Sequence, residues 1–195
     1  METTDQPISE QESLRIIHEM IASAKSGIKD NGFFYLLWGW LVFIASLSNY
    51  FLQFTIGFNM PWLPWAILMP AGMIASMIAG TRLEKKKKVK TYVDDFLKYL
   101  LIAFLVCLFI ALFFMQQFQL SCYPVVIMLY GIWLFVSGGA IRFRPLIIGG
   151  IINWILSVAA LFTTFDYQLL LVSAAVLLGY IIPGHILNHQ FKRDV

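Results

Sequence analysis

Charged side chains are scarce in this sequence and absent from long parts of it. Only 13% of the residues are Asp, Glu, Lys or Arg, whereas soluble domains carry about 25%. The stretches Phe33 to Leu63 and Tyr99 to Ile141 contain none at all. Such runs are too long and too apolar for a soluble core. Since a bilayer span needs roughly 20 apolar residues, the composition indicates a membrane protein with little chain left for a soluble domain.

Cysteine is also scarce, and the pair Cys107 and Cys122 does not indicate a disulfide framework. The first thirty residues are polar and rich in Glu. They lack the basic start and the apolar centre of a cleavable signal peptide, so we expect the N-terminal segment to be kept.

Asp, Glu, Lys and Arg are missing from the middle of every apolar segment. Proton relays and ion-coupled pumps usually carry such residues there, and the sequence has no Ser-His-Asp, Cys-His, HExxH or paired-carboxylate pattern. General acid–base catalysis needs positioned titratable groups. We therefore predict a protein that is not an enzyme and has no cofactor. An enzyme would need its site at the cytoplasmic face, around Asp94, Asp95, Arg142 and His185.

Six apolar segments are long enough to cross a bilayer, and each must be helical there because only a helix satisfies its own backbone polar groups. The sequence predicts an all-α, polytopic transmembrane helix bundle of about six spans. Residues 1–32 form a cytoplasmic amphipathic helix, 33–187 the transmembrane domain and 188–195 a cytoplasmic tail. The predicted spans are Phe33–Leu52, Trp62–Arg82, Phe96–Gln116, Tyr123–Ala140, Leu146–Thr163 and Leu169–Leu187.

The basic residues are distributed unequally between the two sides of these spans. Every Lys and Arg lies in the N-terminal segment, in the loops of one side, at the span ends beside them, or in the tail. The loops of the other side, within residues 53–61, 117–122 and 164–168, have none. Because basic residues stay on the cytoplasmic side during insertion, we expect both termini in the cytoplasm and an even number of spans.

The segment from Ser9 to Asp30 has the pattern of an amphipathic helix. Ser9 and Glu12 match a capping box, and apolar residues recur at helical spacing opposite charged ones. Asn31-Gly32 predicts a stop and a sharp turn before span one. We expect the helix to dock at the lipid headgroups, on the bundle or on a partner. Its apolar stripe consists of Leu14, Ile17, Ile21, Ala24 and Ile28.

Small residues recur every four positions in span two, in the small-xxx-small pattern of close helix packing. The pattern leaves open whether the neighbouring helix belongs to the same chain or to a second copy. These residues are Ala71, Gly72, Ala75, Ser76, Ala79 and Gly80.

Polar side chains inside the spans are candidates for ligand contact or for helix packing. Gly149, Asn153 and Ser157 share one face of span five, and Asn49 lies in span one. Inter-helix hydrogen bonding explains them as well as a ligand does. We predict no metal site, because a closed site needs more than two ligands. The weak candidates for one are His185 and His189.

A run of lysines follows span two, and each Lys near an anionic leaflet contributes about 1 kcal/mol of attraction. The run anchors the orientation and can contact anionic lipid, whereas one short run does not indicate nucleic acid as a partner. The lysines are Lys85, Lys86, Lys87, Lys88 and Lys90.

Two segments in spans one and four resemble each other. Leu37 to Ile44 reads LWGWLVFI and Leu129 to Val136 reads LYGIWLFV, with Leu, Gly and Phe at equal spacing. The two spans run in opposite directions, so a true repeat would be a 3+3 inverted repeat. Many transporters use that arrangement.

The stretch Glu12 to Lys25, followed by Asn31 to Leu41 (NGFFYLLWGWL), resembles the start of an uncharacterised family of small bacterial inner-membrane proteins. The resemblance implies a multi-pass protein of the bacterial cytoplasmic (inner) membrane. It carries no activity and no site residue.

These features predict a non-enzymatic membrane protein that binds a partner protein or lipid. Membrane lipids are the expected partners, together with a second copy or another membrane protein, and no nucleic acid. The alternative is a small transporter or channel for an uncharged or apolar solute, built on the inverted repeat.

Overall fold

The computed structural model describes residues 10–86, 92–118 and 122–193. These residues are almost entirely helical and contain no strand, which confirms the all-α class. The helices are α1 (Glu10–Phe51), α2 (Leu63–Lys86), α3 (Tyr92–Phe113), α4 (Met115–Phe118), α5 (Cys122–Ala140), α6 (Arg144–Leu161), α7 (Phe165–Val176) and α8 (Ile182–Arg193).

Six segments of the described chain are long and apolar enough to cross a membrane, so this is a multi-pass α-helical membrane protein. Their order and positions match the predicted spans to within a few residues. A π-helical turn, Leu52–Ile56, extends α1, and another, Leu177–Ile181, joins α7 to α8 in one span. The spans are Gly32–Ile56, Leu63–Leu83, Tyr92–Phe113, Cys122–Ala140, Arg144–Leu161 and Phe165–Gln190.

Helix α1 runs for 42 residues without a break. At 1.5 Å per residue it is about 63 Å long, roughly twice the thickness of the hydrocarbon core. The turn predicted at Asn31-Gly32 is therefore wrong. A Cβ at Gly32 would lie 3.4 Å from Leu187 Cδ2, an ordinary contact, so the helix passes Gly32 beside α8 at a helix-propensity cost of only about 1 kcal/mol. The docking predicted for the stripe from Leu14 to Ile28 concerns side chains outside the described residues.

Helices α1, α5 and α6 pack with the last span to form the core of the bundle. Three buried tyrosines meet where these elements join. The ring centroid of Tyr180 lies 6.2 Å from that of Tyr35 and 5.6 Å from that of Tyr130, and the Tyr180–Tyr130 pair is edge to face. Aromatic pairs in such arrangements contribute about 0.5–1.5 kcal/mol beyond the burial of their area, so the cluster helps to fix how α1 and α5 sit against the last span.

Helices α5 and α6 approach each other most closely at glycines. A Cβ at Gly150 would lie 2.8 Å from the Phe135 nitrogen and 2.9 Å from the Gly131 oxygen. The chain reverses between the two helices at Arg142, whose φ of 56° is left-handed, and Phe143 N donates to Gly138 O at 2.8 Å. The result is a tight helical hairpin, in which small residues let the two backbones touch.

Helices α2 and α3 lie at the outside of the bundle, α2 mainly against α1 and α3 mainly against α5. In the apolar 18-residue stretch of α2 and in that of α3, only 6% of the residues are buried. The corresponding share is 50% in α5 and 33% in α6. Their remaining surface consists largely of big apolar side chains suited to lipid contact. The two halves of the chain thus pack differently, and the 3+3 inverted repeat stays a prediction.

The last span changes its helical pitch before Pro183. In a continuous α-helix the ring of Pro183 would clash with the carbonyl four residues back. The π-helical turn comes directly before it, and Ile182 N donates to Leu177 O, five residues back. Beyond the proline, a Cβ at Gly184 would lie 3.0 Å from Leu36 Cγ, which brings α8 against α1.

Candidate functional site

Asn153 and Gly149 of α6 lie where that helix crosses the π-helical turn of the last span. Asn153 is fully buried, and its Nδ2 donates to Gly149 O at 2.8 Å and to Ala175 O at 3.2 Å. A Cβ at Gly149 would lie 3.0 Å from Gly179 Cα. The Asn153 Oδ1 atom has no hydrogen-bond partner among the described residues. Both residues therefore take part in a close crossing of two helices.

Buried hydroxyl groups join other pairs of helices. Ser157 Oγ donates to Pro124 O of α5 at 2.8 Å, and Ser46 Oγ of α1 donates to Leu169 O of α7 at 2.6 Å. Each donor bonds to a main-chain carbonyl on a neighbouring helix. Such bonds contribute roughly 0.6 kcal/mol on average in membrane proteins, so these side chains position helices.

Asn49 fixes the connection between α1 and α2 at the opposite end of the bundle from Gly32. In the amide orientation that satisfies both neighbours, Asn49 Nδ2 donates to Pro61 O at 3.0 Å, and its Oδ1 accepts from Trp65 Nε1 at 3.0 Å. Asn49 is 7% exposed. The structure therefore does not bring Asn49 together with Asn153, and the sequence candidates do not form one site.

The small-residue face of α2 lies against α1 of the same chain. A Cβ at Gly72 would meet Leu41 Cδ1 at 2.5 Å and Trp38 at 3.5 Å, whereas one at Gly80 would find no atom within 4 Å. The hydroxyl of Ser76 is buried without a hydrogen-bond partner in the described structure. Partly buried residues of the same face are Ala75, Ala79 and Gly80, while Ala71 is exposed.

Among the remaining candidates, His185, His189 and Lys85 lie at the end of the bundle where α1 enters. His185 and His189 are exposed, and within the described ranges no three His, Cys, Asp or Glu side chains come together as a metal site would require. Lys85 is exposed at the end of α2. Outside the described residues lie Lys87, Lys88 and Lys90, together with the side chain of Lys86.

A feature that sequence reasoning missed is a shallow groove along the outer side of α1, which we call the furrow. It consists of two adjoining hollows of about 380 and 480 Å³ that share Ile44, and both are open towards the side. Ser48 supplies a hydroxyl, and the rest of the lining is apolar or aromatic. The lining residues are Phe33, Leu36, Leu37, Trp40, Leu41 and Ile44 in the first hollow, and Phe43, Ile44, Leu47, Ser48, Phe51, Leu52, Ile56 and Pro64 in the second.

Two helices border the furrow. Leu41 reaches Gly72 of α2, and Leu36 reaches Gly184 of α8, so the furrow follows α1 between these two neighbours. From Phe33 to Ile56 it extends over about 35 Å of helix, close to the roughly 30 Å hydrocarbon core. In the sequence, each residue that lines the furrow looks like any other lipid-facing residue. The sequence signal related to the furrow was the small residues of the bordering helices, which indicate that those helices pack closely against a neighbour.

Comparison of the chain with known protein families, with curated proteins and with solved structures returned no match. The geometry of the bundle and its furrow is therefore the basis for a functional proposal, and the resemblance to small bacterial inner-membrane proteins stays a prediction.

Proposed function

We propose that this protein is a non-enzymatic membrane protein that binds a lipid along α1. The observation that carries the proposal is the furrow, which is lined by apolar side chains and opens sideways. Its length of about 35 Å is close to that of the roughly 30 Å hydrocarbon core. An acyl chain reaches such a furrow directly from the bilayer. A water-soluble ligand would have to leave water and would find one hydroxyl, that of Ser48, among the lining side chains.

The interior of the bundle supports binding at the outer surface over passage through the middle. Its buried polar side chains, such as Asn153, Ser157 and Ser46, donate to main-chain carbonyls and so hold helices together. The transporter alternative relies on the 3+3 inverted repeat, and the unequal packing of the two halves gives that repeat no support.

We place the protein in the cytoplasmic membrane of a bacterium, with both termini in the cytoplasm. The distribution of Lys and Arg supports this orientation. Arg82, Lys85, Lys98 and Arg142 lie at the end of the bundle where α1 enters, and the described loops of the other end carry no basic residue.

Ile44 offers a direct test, because it lines both hollows of the furrow and is 47% exposed. Ile44→Trp should fill the point where the two hollows meet and exclude an acyl chain. Ile102 on α3 is the matched control, a mid-span isoleucine that is 48% exposed and lies away from the furrow. Lipid that remains bound after purification in mild detergent can be counted by native mass spectrometry.

We expect the parent and Ile102→Trp to retain one lipid per chain and Ile44→Trp to retain much less. Equal lipid in all three proteins, or none in the parent, would contradict the proposal. A co-purifying membrane protein that Ile44→Trp alone loses would assign the furrow to a partner helix instead.

A further inference from the structure

We propose that the furrow selects an anionic phospholipid, whose phosphate group is held by Arg82 at the Phe33 end. This inference depends on the proposed function, since it names the class of lipid that the furrow takes. It starts from the position of Arg82, which is exposed near the end of α2.

Arg82 lies on the side of α2 that borders the furrow. It follows Pro64 by 18 residues, which is about five full turns of an α-helix, and Pro64 lines the second hollow. The side chains between them on this side of α2 are the small Ala71 and Ala75 and the larger Leu68 and Ile78. Arg82 therefore points to the same side as the furrow, at its other end.

The pairing of α2 with α1 gives the depth of Arg82. Asn49 contacts Pro61 and Trp65, and Leu41 meets the position of Gly72. The two helices are antiparallel, so each step forward along α2 corresponds to one step back along α1. The Leu41–Gly72 pair brings Arg82 level with position 31 of α1, two residues or about 3 Å beyond Phe33, where the furrow begins.

The first hollow has the length of one leaflet. From Phe33 to Ile44 the helix rises about 17 Å, close to half of the roughly 30 Å hydrocarbon core. A phospholipid whose acyl chain lies in this hollow has its phosphate at the level of Phe33, beside Arg82. A guanidinium group suits this position, because its planar array of N–H donors binds phosphate oxygens in a bidentate manner.

Neighbouring charge and orientation favour an anionic headgroup over a zwitterionic one. Lys85 is exposed one turn beyond Arg82 and adds positive charge. On the other border, Asn188 of α8 is exposed, and its main-chain nitrogen lies 3.9 Å from the position of a Cβ at Gly32. With this end in the cytoplasm, the furrow opens into the leaflet where anionic lipids give the surface its negative potential.

The test measures which lipid the purified protein retains from vesicles of equal parts phosphatidylglycerol and phosphatidylcholine, read by native mass spectrometry. Arg82→Gln removes the charge, and Arg82→Lys keeps it but loses the bidentate geometry. Lys98→Gln is the matched control, because Lys98 is an exposed cation at the same end of the bundle, on α3, and α3 does not line the furrow.

We expect the parent to retain phosphatidylglycerol in preference to phosphatidylcholine. In Arg82→Gln the lipid retained should fall about tenfold, the change expected from loss of one charge-assisted contact. The preference for phosphatidylglycerol should fall as well, because the cation that attracts a net negative headgroup is gone. Arg82→Lys should lie between the two, and Lys98→Gln should behave like the parent. An unchanged preference in Arg82→Gln, or an equal fall in Lys98→Gln, would overturn the inference.

The two proposals fail in different ways in this experiment. If the parent retains one lipid without headgroup preference, Arg82 does not select the lipid, while the furrow still binds one. If the parent retains no lipid from either vesicle component, the lipid-binding function itself is wrong.

Discussion

The close main-chain contact between α5 and α6 at Gly150 predicts a large effect for the smallest change of side chain. In Gly150→Ala the new methyl group would lie 2.8 Å from the Phe135 nitrogen and 2.9 Å from the Gly131 oxygen. Ordinary contacts need about 3.5 Å or more, so the helices must separate by roughly 0.7 Å. Because both atoms belong to the main chain, neither can rotate away. We expect the upper part of the overpacking range, about 2–3 kcal/mol of lost stability.

Gly139→Ala is the matched control for this substitution. Gly139 is helical and exposed on α5, and a Cβ there would find no atom within 4 Å. Alanine should leave stability unchanged or raise it by about 0.4–1 kcal/mol, because it restricts the unfolded chain. The free energy of unfolding can be measured by titration with SDS in mixed micelles, followed by circular dichroism. If the two variants unfolded together, the close crossing of α5 and α6 would be refuted.

Two further predictions concern α2 and the orientation. Gly72→Ala should destabilise the protein by about 1 kcal/mol or less, because the opposing Leu41 side chain can move. Gly80→Ala should be neutral or slightly stabilising, since a Cβ there meets no atom within 4 Å. A larger loss of stability in Gly80→Ala than in Gly72→Ala would show that a different face of α2 packs against α1. In a cysteine-free background and intact cells, a membrane-impermeant maleimide should label Phe162→Cys, at a position that is 86% exposed, and spare Lys85→Cys. The reverse labelling pattern would invert the proposed topology.

The spans could be predicted from sequence because a membrane imposes a simple rule on them. Every backbone polar group within the hydrocarbon must bond within its own helix. An uncharged run such as Tyr99 to Ile141 therefore has to contain helices, whatever position those helices take in the bundle. The packing role of Gly72 was accessible for a related reason, because small residues at a spacing of four mark a helix contact. Both inferences use local composition alone.

The furrow and the continuity of α1 could not be predicted in this way. Asn31-Gly32 has the local chemistry of a helix end, but the tertiary contact between Gly32 and Leu187 of α8 favours a continuous helix. The furrow depends on which faces of α2 and α8 meet α1. The order of helices in a bundle is set by many small contacts between distant parts of the chain, and hydropathy contains no information about it.

The π-helical turn in the last span has a consequence for insertions and deletions. Such a turn accommodates one residue more than an α-helix would use over the same rise, and each residue of an α-helix turns the chain by about 100°. Removal of Leu178 alone would therefore leave a continuous α-helix over the same rise, with Gly184 and Leu187 still facing Leu36 and Gly32. The ring of Pro183 would then meet the carbonyl of Gly179, four residues back. A deletion in a helix without such a turn would rotate everything after it by about 100°, so the π-helical turn marks a position where the last span can lose one residue and keep its helix phase.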